Sequence, residues 1–350
     1  PTEARRLLQG ALEHARATAP ATLRGTADLH VALSEIDLEA GDLTGATQHL
    51  EQATVIDQRS AMGETRFRLF VALAKVAAAE GDVQRASDHL DRAEQLVGPG
   101  FVPHMRPIPA TRARMSIAQG ELEDAAAWAT ASGVTAADEV HHRREFDLLT
   151  LVRLLIAQHR DQHDVAGADD TMALLGRLRL AAEASGRRRT VVETHVLTAL
   201  ALDGQGQRQE AVESLERAWT EAAEPDAHVR LVLDEGAPML ELLRAAARSS
   251  TGSARARRLL DVAAAAERAD TVIPATSQRS SRPGMMVEAL SDRELHVLRL
   301  LASDLSGPQI ASELFISLNT LRTHTKRIFT KLDVRSRRAA VSRARELGVL

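Results

Sequence analysis

The spacing of apolar positions predicts helices along almost the whole chain. Apolar residues recur at helical intervals over 171–185 and 190–202, and β-branched runs between turn residues are scarce. The abundant alanine, together with leucine, arginine and glutamate, is a helix-forming composition. We therefore expect an all-α protein.

A helix-pair pattern repeats in the first half of the chain at an offset of 40 residues. The repeated positions are Gly41-Asp42 and Gly81-Asp82, Ala46 and Ala86, His49-Leu50 and His89-Leu90, and Ala53 and Ala93. Weaker copies begin at Gly120, with Ala125, and at Gly206, with Ala211, Leu215 and Ala218. Glycine would end one helix, aspartate would cap the next, and alanine and leucine would be buried. The pattern resembles tetratricopeptide repeats, which stack into a solenoid.

Polar or proline-rich segments interrupt this array. We expect an irregular loop at Val97–Pro109 and a connection between two helices at Arg160–Asp170. Ala266–Met286, which contains Pro274, a serine-rich run and Pro283-Gly284, has the composition of a flexible linker. The predicted organisation is a repeat domain over 1–265, a linker over 266–286 and a C-terminal domain over 287–350.

The C-terminal domain shows helix starts at short intervals. Ser291 and Glu294 form a capping box before a helix with a core stripe at Leu295, Leu298 and Leu301-Ala302. Ser306 and Gln309 form a second box before a short helix whose inward residues are Ile310, Ala311 and Leu314. Ser317 can cap a third helix that runs to Leu332, and a last helix spans 336–347. These segments predict a four-helix domain.

The third helix, 317–332, has two contrasting faces. One arc holds Leu321, Thr325, Ile328, Phe329 and Leu332; the opposite arc holds Asn319, Arg322, Thr323, Lys326, Arg327 and Thr330, with Thr320, His324 and Lys331 on the flanks. Cationic and hydrogen-bonding side chains with almost no acid suit the major groove of DNA, where they bind base edges and phosphates. The alternative is an ordinary amphipathic surface helix, which would usually carry both signs of charge.

Charge separates the two ends of the protein. The net charge is −4, yet the chain from Val287 onward has 11 basic and 7 acidic residues, and from Leu318 onward 9 basic and 2 acidic. A basic end on an acidic body indicates a polyanionic partner for that end. A solvated charged helix face is the alternative explanation.

The C-terminal motifs together resemble the LuxR-type helix-turn-helix. They are Leu290–Glu294, Ile310-Ala311, Leu314, Ile316-Ser317, Thr320–His324, Lys331–Arg335 and Ala339–Val341. The resemblance implies that 317–332 enters the major groove, that Arg322, Thr323 and Lys326 read bases, and that Val341 and Ala344 of the last helix form a dimer contact. The predicted DNA-binding set is Ser317, Asn319, Thr320, Arg322, Thr323, His324, Lys326, Arg327, Lys331 and Arg335. Asp304 replaces a usual glycine and Leu321-Arg322 a usual Val-Lys, but these residues preserve the turn, the core and the charge.

The region 146–243 resembles the segment before the DNA-binding domain of large ATP-dependent regulators of the maltose-activator type. In that family the repeats bind inducers or partner proteins, behind a nucleotide-binding domain, and activation is the expected direction of regulation. None of the three lysines lies in a phosphate-binding loop. Either a nucleotide domain was removed or the protein lacks one, and the start at Pro1 indicates a trimmed chain or a piece of a longer one.

Other functional classes have weak support in the sequence. The chain has no cysteine, which excludes disulfides and thiolate chemistry and fits a reducing cytoplasm. His159 and His163 lie four residues apart, but no third metal ligand at fixed spacing is evident, and their polar setting favours solvated histidines, as it does for His141-His142. No nucleophile elbow, dinucleotide loop or metalloprotease motif occurs, and we expect neither cofactor nor metal.

Three hypotheses follow for the whole chain. The favoured one is a cytoplasmic transcription regulator that binds double-stranded DNA as a homodimer and is controlled by a small-molecule effector or protein on the repeats. The second is a protein-interaction scaffold with nonspecific affinity for nucleic acid. The third is an enzyme hidden in the helical region, which would require a cluster of perturbed polar residues in a cleft.

Overall fold

The computed structural model divides the chain into two compact units, Pro1–Ile273 and Pro274–Leu350. The structure describes residues 1–18, 25–57, 63–97, 107–162, 167–222, 224, 227–248, 253–271, 292–303, 309–310, 325, 328, 331, 334 and 337–346. These residues form helices and turns and contain no strand, which confirms the all-α prediction.

The described part of the first unit is a succession of helices. Its described helices are α1 (Thr2–Thr18), α2 (Thr26–Glu39), α3 (Leu43–Asp57), α4 (Gly63–Ala79), α5 (Val83–Glu94), α6 (Ile108–Ala118), α7 (Leu122–Ser132), α8 (Glu145–Gln162), α9 (Ala168–Ala184), α10 (Arg188–Gly204), α11 (Arg208–Glu221), α12 (Val229–Leu233), α13 (Gly236–Ala246) and α14 (Ser253–Thr271).

The turns within the helix pairs have the conformation that the repeat predicts. Gly41 and Gly81 have φ of +84° and +78°, and the amide of the next residue bonds to the carbonyl five residues before it: Asp42 to Asp37 and Asp82 to Ala77, each at 2.9 Å. This is the Schellman closure, which favours glycine because it needs a left-handed residue. Asp42 then accepts from the Gly45 amide at 2.9 Å, so the predicted cap is confirmed.

The predicted small residues lie where neighbouring helices meet. Buried positions at the repeat offsets include Ala46, Leu50, Ala53, Ala86, Leu90, Ala93, Ala125, Ala211, Leu215 and Ala218. The pairs α2–α3, α4–α5, α6–α7 and α10–α11 pack against each other, and alanine at these positions lets two helices approach closely. The four predicted copies of the repeat are therefore helix pairs.

A further turn of this type lies between α9 and α10, where the sequence shows no Gly-Asp pair. Gly186 has φ of +66°, and the Arg187 amide bonds to the Ala182 carbonyl at 2.9 Å. Buried Glu145 accepts from Arg187 Nε at 2.9 Å and from Thr190 Oγ1 at 2.8 Å, which ties this turn to α8. The N-cap of α10, Arg187, makes no side-chain bond to the helix amides, so this turn has the glycine closure without an aspartate cap.

Three predicted irregular segments are partly helical. Pro107 is the N-cap of α6 and Pro109 lies in its first turn, where proline is tolerated because that amide needs no partner. Helix α8 continues to Gln162 and α9 begins at Ala168, so the predicted connection is shorter than 160–170. Helix α14 runs to Thr271, so 266–271 of the predicted linker are helical, as their alanine-rich sequence favours.

The second unit contains the described helices α15 (Asp292–Leu301) and α16 (Arg337–Glu346), which contact each other. Val297, Leu298 and Leu301 of α15 and Ala340 and Ala344 of α16 are buried. Ile310 and Ile328 are also fully buried. Leu298, Leu301, Ile310 and Ile328 were each predicted to face inward. The side chain of Leu295, the capping residues Ser291 and Ser306, Ala311 and Leu314 lie outside the described residues.

Candidate nucleic-acid interface and repeat body

The structure describes three positions of the segment predicted to read DNA. Ile328 is fully buried, whereas Thr325 and Lys331 are half-buried, and all three are helical. Ile328 lies on the predicted inward arc, and Lys331 lies on the predicted flank. The observed burial therefore agrees with the two-sided helix at these positions.

Most of the predicted contact residues lie outside the described residues. They are Ser317, Asn319, Thr320, Arg322, Thr323, His324, Lys326, Arg327 and Arg335. Their roles at DNA stay predictions, as does that of Lys331.

Arg337 connects the two described helices of the second unit. Its Nε donates to the Leu301 carbonyl at 2.8 Å and its Nη2 to the Ser303 carbonyl at 2.6 Å. A cation at the end of a helix satisfies the last carbonyl groups and favours the negative end of the helix dipole. Arg337 therefore fixes α16 against the end of α15.

The two residues predicted for dimer contact differ in exposure. Ala344 is fully buried within its own chain, whereas Val341 on α16 is half-buried and keeps some exposed surface. Val341 is thus the member of this pair that offers surface to a second copy. The dimer role itself stays a prediction.

In the first unit, three arginines form ion pairs with one buried carboxylate. Glu193 of α10 is 3% exposed, and its Oε1 lies 2.9 Å from Arg153 Nη1 and 3.2 Å from Arg114 Nη1. Its Oε2 lies 3.1 Å from Arg189 Nη1. Burial opposes the charged form of Glu193, but the three guanidinium groups outweigh it and hold the pKa of its carboxyl far below its usual value.

The same network extends to both ends of the repeat body. Arg153 Nη2 lies 2.6 Å from Glu235 Oε1, and Arg189 Nη2 lies 3.2 Å from Glu39 Oε2. Glu39 Oε1 also meets His228 Nδ1 at 3.2 Å. Burial raises the pKa of Glu39, but the hydrogen bond with His228 and the charge of Arg189 outweigh it and lower this pKa to about 2.

Apolar contacts accompany this connection between the first repeat and the helices after α11. A Cβ atom added to Gly41 would lie 3.0 Å from Val229 Cγ1 and 3.4 Å from Val262 Cγ1. The turn between α2 and α3 therefore packs against α12 and α14. Thr2 Oγ1 donates to Glu224 Oε2 at 2.6 Å, which adds a second link from the start of the chain.

Comparison with known families assigns both parts of this architecture. Residues 2–249 match the MalT-like TPR region, which covers most of the chain. The chain belongs to this family. The MalT-like TPR region takes in the helix pairs, the Glu193 network and all of α13. The two predicted resemblances, to tetratricopeptide repeats and to the maltose-activator type of regulator, are thereby confirmed.

The C-terminal part of this MalT-like protein matches a second family. Residues 288–344 match the luxR family of bacterial regulatory proteins, which confirms the predicted LuxR-type domain. Similar proteins include a nitrate/nitrite response regulator protein homolog of Haemophilus influenzae, 48% identical over 54 residues, and a probable transcriptional regulatory protein NarL of Mycobacterium tuberculosis, 41% identical over 63 residues. These alignments cover 15% and 18% of the chain and 26% and 29% of the relatives. The chain therefore spans little more than a quarter of their length.

The histidines differ in environment. His141 and His142 are exposed, as predicted for solvated residues, whereas His159 is half-buried, its Nε2 3.3 Å from the place of a Cβ on Gly167. His163 lies outside the described residues. Within the described ranges, no group of three histidine, aspartate or glutamate residues is placed to hold a metal ion, and no helix is long and apolar enough to cross a membrane.

Sequence reasoning did not identify the Glu193 network. Its partners lie far apart in sequence: Arg114 is 79 residues from Glu193, and Arg189 is 150 residues from Glu39. One signal was present, because Glu193 interrupts the otherwise apolar and hydroxyl-bearing run of 190–194. An acid within a buried stripe requires a cationic partner.

Proposed function

We propose that the chain is a DNA-binding transcription regulator whose helix 317–332 reads base edges in the major groove. The observation that carries the proposal is the match of 288–344 to the luxR family of bacterial regulatory proteins. The buried Leu298, Ile310 and Ile328 support it, because they occupy inward positions of the predicted helix-turn-helix. No enzymatic activity forms part of the proposal.

Within this helix we assign base reading to Arg322, Thr323 and Lys326. Arginine and lysine bind guanine edges, and the hydroxyl of threonine can accept or donate to either base type. The remaining DNA-binding residues of the sequence prediction would hold phosphates and set the register on the duplex. Asn319 adds an amide that suits adenine.

We further propose that two copies bind one operator. A helix-turn-helix dimer places its reading helices about 34–36 Å apart, one turn of DNA, so its operator is pseudo-symmetric. Half-buried Val341 on α16 supports a contact between copies, because its exposed part leaves apolar surface for a second copy. Such a protein acts in the bacterial cytoplasm.

Control of DNA binding is assigned to the repeats. An effector or partner protein on the repeats would change self-association or release the DNA-binding domain. The links from α2 to α12 and α14 support this proposal, because they connect the first repeat to helices near the C-terminal end of the repeat body. Solution scattering of the full chain with and without an effector tests this part. Unchanged shape and mass would contradict it.

The reading role of Lys326 gives a direct test of the DNA-binding proposal. Lys326→Ala should weaken binding to a selected operator by about 1–3 kcal/mol if the side chain binds a base. Lys75→Ala is the matched control, since Lys75 lies in α4 with its Nζ 3.6 Å from Glu35 Oε1. Fluorescence anisotropy at fixed salt measures both.

Equal affinity of both variants would remove Lys326 from the base contacts. Binding of equal strength to every duplex, with strong salt dependence, would instead favour a repeat scaffold that attracts nucleic acid nonspecifically.

A further inference from the structure

A cavity of about 340 Å³ lies between the ends of α8 and α10 and the start of α9. Its apolar wall is formed by Ile156, Leu200 and Ala201, with Ala168 beside them. Polar groups come from His159, Arg160, Thr171 and the two glutamines of the turn after α10, Gln205 and Gln207. An apolar wall with a few convergent polar groups is the usual make-up of a small-molecule site, and the volume is at the lower end of that range.

Arg160 is the charged group at this cavity. Its Nη2 lies 3.6 Å from Asp203 Oδ2, whereas its Nη1 is buried and has no hydrogen-bond partner among the residues that the structure describes. A buried guanidinium nitrogen without a partner is costly, since both water and an acceptor are missing. The unmet donor therefore indicates an acceptor that occupies the cavity.

The ion pairs of Asp203 contain more positive than negative charge. The carboxylate is 4% exposed and meets Arg160 on one oxygen and Arg208 Nε at 3.0 Å on the other. Two guanidinium groups share one carboxylate, which leaves one positive charge. An anionic group on the ligand would balance that charge and accept the Nη1 proton in a charge-assisted hydrogen bond.

Two glycines make room for the polar wall. A Cβ on Gly204 would lie 3.3 Å from Arg160 Cγ, and a Cβ on Gly167 would lie 3.3 Å from His159 Nε2. Either contact is tight enough to displace the arginine stem or the imidazole. Glycine at both positions therefore allows the side chains of Arg160 and His159 to lie against the cavity.

We propose that this cavity binds a small organic anion, with its carboxylate or phosphate group on Arg160 Nη1 and its apolar part along Ile156, Leu200 and Ala201. Thr171 and the two glutamines supply neutral hydrogen bonds for the remaining polar atoms. This inference rests on the proposed control of the regulator through its repeats, and it names the site and the chemical class of the effector.

Titration calorimetry on the full chain tests the proposal. The probes are hexanoate and butyl phosphate, each with a neutral counterpart, hexanamide and butanol. We expect saturable binding of at least one anion and no saturation with either neutral probe. The anion that binds more tightly distinguishes a carboxylate effector from a phosphate effector.

Arg160→Met should raise the dissociation constant of the bound anion about tenfold or more, because it removes the charged donor and keeps the apolar stem. Arg179→Met is the matched control: it removes an arginine from an exposed pair with Glu183 on α9, outside the cavity lining, and it should change the constant by less than about threefold. Equal losses in the two variants, or equal affinity for anionic and neutral probes, would overturn the site.

Hydrogen exchange on the unmodified chain gives a second readout that does not depend on a variant folding. The anion should slow exchange at the end of α8, the first turn of α9 and the turn after α10. Absence of saturation with both anions, or protection elsewhere only, would overturn the proposal. Operator affinity in the same samples separates the two claims: a bound anion without effect on DNA removes the regulatory role, and failure to bind DNA removes the proposed function alone.

Discussion

At the scale of single residues, the electrostatics of the repeat body depend on Glu193. Its carboxylate is almost fully buried and is shared by Arg114 of α6, Arg153 of α8 and Arg189 of its own helix. A buried ion pair contributes little relative to an apolar core, but removal of one partner leaves uncompensated charge. Loss of Glu193 would leave three arginines in this position.

We therefore expect Glu193→Gln to lower the free energy of unfolding by about 3–5 kcal/mol. Glu183→Gln is the control, since Glu183 forms an exposed pair with Arg179 at 2.6 Å and should change stability by less than about 1 kcal/mol. Urea unfolding followed by circular dichroism compares the two. Similar small changes in stability for the two variants would mean that the three arginines around Glu193 bond to water or to other acceptors.

His30 gives a prediction for pH dependence. Its Nδ1 lies 2.9 Å from His49 Nδ1, and burial, followed by the charges of His49 and Arg16, lowers the pKa of His30 from 6.5 to about 4. Between these values the unfolded chain binds a proton that the folded chain excludes. The contribution of His30 to the free energy of unfolding should therefore be fully present above pH 6.5 and should fall as the pH drops towards 4.

His30 alone can give the free energy of unfolding a slope of about 1.4 kcal/mol per pH unit. His30→Asn should flatten the pH dependence of urea unfolding between pH 6.5 and 4, whereas the exposed control His142→Asn should leave it unchanged. An unchanged slope in His30→Asn would contradict the lowered pKa, because it would mean that the folded and unfolded chains bind the His30 proton equally.

At the scale of elements, the turns follow from local sequence and the tertiary contacts do not. Gly-Asp turns could be predicted because the left-handed glycine and the aspartate cap act within six residues. The contact of Glu145 with Arg187, beside the turn at Gly186, could not be predicted, because the two residues lie 42 positions apart. Proline was misleading at 107–109, since the same residue that interrupts a helix also begins one.

The candidate cavity also could not be predicted from local sequence. His159 lay in a polar segment that suggested a solvated ring, and its place in a cavity depends on how α8, α9 and α10 end beside one another. The C-terminal domain was more accessible to prediction. Its capping boxes and inward positions are local, and the burial of Leu298, Ile310 and Ile328 agrees with them.

A pair of glycines tests the importance of the turn conformation. Neither Gly81 nor Gly176 has an atom of the described structure within 4 Å of an added Cβ, but Gly81 has φ of +78° whereas Gly176 lies within α9. Gly81→Ala should destabilise the chain by about 1–2 kcal/mol, and Gly176→Ala should stabilise it by up to about 1 kcal/mol. Thermal unfolding distinguishes the signs. Equal changes in unfolding temperature for the two variants would contradict the role of the left-handed conformation at Gly81.

At the scale of the whole molecule, the proposal combines a repeat body with a DNA-binding unit that acts in pairs. Val341→Asp should reduce the operator-bound species from two copies to one, because a carboxylate would be placed in an apolar contact. Val55→Asp is the control, since Val55 is 51% exposed on α3. Sedimentation of the protein–operator complex measures the mass. Two bound copies of Val341→Asp would exclude this contact.

Selection from a pool of random duplex DNA, with the full chain at near-physiological salt, tests whether the chain recognises a DNA sequence as a dimer. We expect an enriched motif with pseudo-two-fold symmetry and half-sites about one helical turn apart. Binding that depends on salt but enriches no motif would contradict it, because phosphate attraction alone carries no sequence information.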